Sequence, residues 1–143
     1  MTDSRGRTVF EVWILQAIFY GRAEWWPVLR RLLTLADFRN PLNFLVFRAV
    51  LLTDGDFVKA AMILWREARA NVWQAFLDRF CGGFAVFEVA GDPPVDDILP
   101  AMKADDGLKL NEIAKSWNLL SNWDLFLQEF PLGPAREVRR IRA

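Results

Sequence analysis

The order of apolar and polar positions predicts a chain built from helices. Residues 8–20 are nearly all apolar, with Glu11 and Gln16 marking a narrow polar side. The run is too long for one strand, so it reads as a largely buried helix ended by Gly21. From Glu24 to Asp37, Trp25, Val28, Leu29, Leu32 and Leu35 share a stripe, with Arg30, Arg31 and Thr34 opposite. That is a helical period, and Pro27 is tolerated in its first turn. Asn40-Pro41 breaks the chain before a third apolar stretch, 42–52. Asp54-Gly55-Asp56 would suit a hairpin between two strands. The steady helical stripe of Phe57, Ala61, Leu64, Ala68, Val72, Phe76 and Phe80, with its alanine-rich middle, favours a turn into one long helix instead.

FAVFEV at 84–89 alternates like a strand but has no clear pairing partner, and the pattern leaves it unassigned. Gly91-Asp92-Pro93-Pro94 is a loop, 95–103 a short helix, and Asp105-Asp106-Gly107 a second break. Helices follow at 109–118 and 121–130, with Ser121 as N-cap. The predicted fold class is all-α, a compact bundle of six to eight helices. One helical domain (8–134) would lie between a flexible N-terminus (1–7) and a basic tail (135–143). An α+β fold is the alternative if 44–52, 57–65 and 84–89 are strands.

Composition narrows the chemistry. With 53% hydrophobic and 14% aromatic residues among 143, the chain buries too much apolar surface to be disordered. Its 18 basic and 18 acidic side chains cancel, so no global field draws it to nucleic acid. The chain contains no histidine, which removes the usual proton shuttle near neutral pH, the commonest metal ligand, and the Ser–His–Asp and Cys–His machineries. The lone Cys81 excludes an internal disulfide, and its apolar neighbours make it a small core residue rather than a nucleophile. The polar start lacks a signal-peptide pattern, and the longest apolar stretch, Val12 to Tyr20, falls short of the ~20 residues of a membrane span. The expectation is an intracellular, cytoplasmic protein without cofactor, catalytic residue or metal ligand.

Charge is unevenly placed. Residues 1–80 carry 11 basic and 8 acidic side chains, whereas residues 81–135 carry 3 and 9. Asp92, Asp96, Asp97, Asp105 and Asp106 could converge on a hard cation or serve a carboxylate-based enzyme. Their spacing is not that of a calcium loop, however, and they flank turns where aspartate is favoured locally. The stretch 108–130 resembles a helix-turn-helix unit, but its second helix offers Asp124 and Glu129 and no cation, so it reads as a packing geometry. Arg136, Arg139, Arg140 and Arg142 could touch phosphates or lipid headgroups, but a solubilising, frayed terminus is the favoured reading. The seven tryptophans are an unusual load, and most are expected in the core. Tryptophan's size and polar N–H also suit partly exposed sites, so two or three are expected to line a groove or touch a partner.

Three stretches carry a family resemblance. Residues 117–130 hold Trp117, then Trp123-Asp124-Leu125-Phe126 and Phe130. They resemble the second homology region of the Bcl family of apoptosis regulators, in which a second tryptophan opens a Trp-Asp-x-Phe-x-x-x-aromatic run. Asn71-Val72-Trp73 followed by Phe80-Cys81-Gly82-Gly83 is similar to the first region, although Gln74 and Ala75 stand where the family has Gly-Arg. Leu32 to Asp37 fits the Leu-x-x-x-small-Asp pattern of the third. The resemblance implies a helical bundle whose surface groove holds an amphipathic partner helix. Trp73 and Gly82 would border that groove, with Trp117, Trp123 and Phe126 beside or behind it. The combined expectation is a non-enzymatic interaction module with an aromatic-lined groove, in the manner of a divergent apoptosis regulator. A metal-binding or enzymatic carboxylate cluster, or a pocket for an apolar small molecule, is the alternative.

Overall fold

A computed structural model describes residues 5–130. Among them the protein is all-α: nine α-helices, one 3-10 turn and no strand. In chain order the helices are α1 (Arg5–Tyr20), α2 (Trp25–Leu32), the 3-10 turn Leu35–Asp37, α3 (Pro41–Leu52), α4 (Phe57–Glu67), α5 (Ala70–Phe80), α6 (Val86–Ala90), α7 (Val95–Lys103), α8 (Gly107–Ser116) and α9 (Leu119–Glu129). No helix of the described residues is long and apolar enough to cross a membrane. The basic tail read at 135–143 lies outside the described residues.

The all-round apolarity of the first helix has a simple cause: α1 is the central helix. It is buried from Gly6 to Ile18 and packs against α8, α6, α3 and α9. It starts at Arg5, so residues 5–7, read as part of a flexible terminus, are helical. The approach to α8 is closest at Gly6, where an added Cβ would stand 2.9 Å from backbone atoms of Leu110 and Asn111. Asn40 caps α3 by accepting from Leu42 N–H and Asn43 N–H, with Pro41 in the first helical position. Asp56 and Asp106 cap α4 and α8 in the same way.

Several stretches differ from the pattern-based expectation. The 24–37 stripe is split: α2 ends at Leu32, Leu33 and Thr34 are extended before the 3-10 turn, and Val28 and Leu32 are exposed. The stripe from 57 to 80 is two helices, broken where Ala68 and Arg69 are extended. Its last steps are all i to i+4, and each turns the stripe by about 40° around a helix. From Leu64 to Phe80 the drift reaches roughly 160°, so one straight helix could not keep these side chains on one face. The break resets the phase: α4 lies on α3, and α5 sends Val72, Ala75, Phe76 and Phe80 into the core. FAVFEV is not a strand but the entry to α6, with Phe84 and Val86 buried. With 44–52 and 57–65 in α3 and α4, the strand alternative has no member among the described residues. The 108–130 unit does form two helices around a turn. The turn residue is Asn118 in the left-handed conformation (φ 56°), and Ser121 lies inside α9 rather than capping it.

A polar thread runs through the core beside α1. Glu11, fully buried, accepts from Arg39 N–H (2.8 Å), Asn40 N–H (3.2 Å) and Asn43 Nδ2 (3.0 Å). Arg7 approaches it at 3.4 Å and donates to the Met102 and Asp37 carbonyls. Arg79, also buried, donates to Asn40 Oδ1 (3.2 Å) and lies 5.1 Å over the Trp123 ring. These contacts tie α1, α3, α5 and α9 to one another.

Candidate functional site

The segment 83–90 and the helix α9 enclose an apolar cleft of about 480 Å³. Phe84, Val86 and Val89 form one wall, Leu125 and Phe126 the other. Trp117 stands at one end, and Glu129 also lines the opening. On α9 the spacing of Asn122, Leu125, Phe126 and Glu129 puts all four on one helical face.

Side chains of α1 hold the first wall in place. Gln16 accepts from Phe87 N–H at 2.9 Å and donates to the carbonyls of Phe84 and Arg79. Trp13 Nε1 donates to the Gly91 carbonyl at 2.8 Å, where α6 ends. The second wall is set by an aromatic stack: Trp123 lies nearly parallel to Phe126 (centroids 5.2 Å apart), and Phe84 meets Trp123 edge-on at 5.1 Å. Trp117 leans its ring edge-on against Trp13 at 5.4 Å and stays half in solvent. A short helix of five residues would otherwise be marginal. Here its geometry is imposed by α1 and the aromatic layer beneath it.

The five residues singled out from the sequence fall in different places. Trp117 and Phe126 line the cleft, and Trp123 is sealed directly behind it. Gly82 (φ 134°) ends α5 and lines a neighbouring hollow of about 350 Å³. Trp73 packs between Phe76 and Trp65 at the α4–α5 elbow, away from the cleft lining. The cleft lined by Trp117 and Phe126 is lined by neither Trp73 nor Gly82, although the hollow at Gly82 shares Phe84 and Ala85 with it. Val86, Val89 and Leu125 were missed. Their signal is present in FAVFEV and in Asp124-Leu125-Phe126, but only the helical reading of 86–90 turns Val86 and Val89 to a common face.

Titratable chemistry lies elsewhere. Burial pushes the Glu11 carboxyl up to about 7 against its hydrogen bonds and Arg7. None of the clefts described among these residues reaches Glu11, so this perturbed group has no route to a substrate through them. Cys81 is exposed at the end of α5 rather than in the core, because the helix has finished and the chain turns outward there. Desolvation raises its thiol against a hydrogen bond with Tyr20 that lowers it, and the net upward shift favours the unreactive protonated form. Three of the five aspartates weighed for metal binding are taken up separately: Asp92 by Arg22 and Trp25, Asp105 by Arg7 and Arg39, Asp106 as the cap of α8, while Asp96 and Asp97 lie in the first turn of α7. Among the described residues no three His, Cys, Asp or Glu side chains gather as a metal site. No family model, curated protein or solved structure matches the chain.

Proposed function

We propose that the protein is a non-enzymatic interaction module that receives the apolar face of an amphipathic partner helix in the cleft between α6 and α9. The observation that carries this reading is the cleft's rim. Val89 is 87% exposed, Leu125 61% and Trp117 45%, around an opening whose floor is aromatic. Large apolar side chains grouped at a concave site lose water when a partner docks, and an i, i+3, i+4 face is the natural complement to such a groove. The half of the chain that builds the cleft is acidic, and Glu129 lines it, so the partner helix should carry Lys or Arg beside its apolar face. The 117–130 stretch that resembles the Bcl family supplies one wall, and the divergent-apoptosis-regulator reading extends the proposal in the same direction.

The test is a titration with synthetic amphipathic helices, followed by tryptophan fluorescence. A saturable change is expected from peptides with basic flanks, weaker with acidic flanks, and lost in Leu125→Asp. No response from the panel, or an undiminished response in Leu125→Asp, would sink the proposal. An apolar small molecule is the second reading, since the cleft volume lies within the ~300–1,000 Å³ of such pockets. Native mass spectrometry of the purified protein would reveal it as added mass.

A further inference from the structure

We infer that the cleft's partner is the outer ridge of α4 on a second copy of this chain. The inference rests on the cleft reading above and names its occupant. α4 is a peripheral helix: of its eleven residues only Ala60 and Leu64 are buried. On the opposite side Val58, Met62 and Trp65 stand at i, i+4 and i+7, with exposures of 66%, 48% and 65%. At about 100° per residue the three fall within about 60° of arc, the narrow anchor stripe that a helix presents to a groove. Tryptophan is also among the side chains that most often anchor such contacts.

Charge also matches this ridge to the cleft. Lys59 and Arg66 lie together on one flank of the stripe, in the basic half of the chain. The cleft belongs to the acidic half, with Glu129 on its lining and Glu88 next to Val89. α4 packs on α3, whereas α6 and α9 pack on α1, so ridge and cleft are two different patches of one molecule. A contact made once per pair is heterologous and yields rings or open chains, whereas one reciprocated about a two-fold axis closes as a dimer.

The test is sedimentation equilibrium of the full chain over a wide concentration range at low salt. The expected result is a mass that climbs to the dimer or beyond with concentration and falls back in high salt, because the flanking charges are screened. Trp65→Asp removes the ridge and keeps the cleft; Leu125→Asp does the reverse. Both replace exposed side chains, circular dichroism checks their fold, and Met62→Asp is a second ridge variant. Each variant alone should be monomeric, and an equimolar mixture of a ridge and a cleft variant should form one-to-one dimers and stop there. A mixture that stays monomeric, or a wild-type dimer that survives Leu125→Asp, overturns the inference. A wild-type monomer whose cleft still answers to basic amphipathic peptides overturns the inference alone. A protein that neither associates nor answers overturns it together with the proposed function.

Discussion

Replacing Glu11 by glutamine should remove a pH dependence that is built into the core. In the folded protein burial holds this carboxyl at about 7, against the N–H groups of Arg39 and Asn40, the Asn43 amide and Arg7. In the unfolded chain it returns to its ordinary 4.5. Below that value both states are protonated and the group contributes no slope. Between pH 4.5 and 7 the folded state keeps a proton that the unfolded state has released, so stability falls as pH rises. Each unit is ~1.4 kcal/mol, and the whole window costs roughly 3 kcal/mol before the slope flattens above pH 7. The amide introduced by Glu11→Gln cannot ionise, while its carbonyl oxygen can still accept from the N–H groups before α3. Urea unfolding at pH 5, 6, 7 and 8 should show the wild-type midpoint dropping by about 1–2 M relative to the variant. Wild-type and variant midpoints that run parallel across this range would be incompatible with a raised carboxyl. They would mean that the hydrogen bonds and Arg7 keep it charged throughout.

Three further changes probe the scaffold around the cleft. Trp123→Ala empties the space behind the cleft and strips the ring from beneath Arg79, so it should cost about 3–5 kcal/mol in urea unfolding. Gly6→Ala forces a methyl against the α8 backbone and should cost about 1–2 kcal/mol despite alanine's better helix propensity, read as a lowered Tm. Asn40→Ala removes the cap of α3 and an acceptor of the buried Arg79, and a loss of about 2 kcal/mol is expected from the same unfolding measurement.

Much of the fold was legible because several segments state their own environment. The all-round apolar 8–20 could only be a buried helix, and Asn40-Pro41 and Asp54-Gly55-Asp56 mark real boundaries. The break at Ala68 was hidden because local propensity there favours helix. What ends α4 is the drift of the stripe, which matters only once α3 and the core fix the face each helix must turn. FAVFEV misled for a related reason. Its alternation is that of a strand, but Gln16 and Trp13, distant in sequence, supply the hydrogen bonds that hold it against α1. Tryptophan counting found Trp117 at the cleft yet could not separate it from Trp123. The two share a motif, but Trp117 ends α8 with its ring half in solvent, whereas Trp123 is buried within α9.

Whether the α6–α9 cleft takes up a helix can be read residue by residue in a two-dimensional amide and indole NMR titration with a basic amphipathic helical peptide. Shifts should concentrate on Val86, Val89, Leu125, Phe126 and the Trp117 indole, while the Trp26 indole, bonded to Asp54 away from the cleft lining, stays unmoved. Shifts centred anywhere else, or none at saturating peptide, would mean that the cleft is not a helix-binding site.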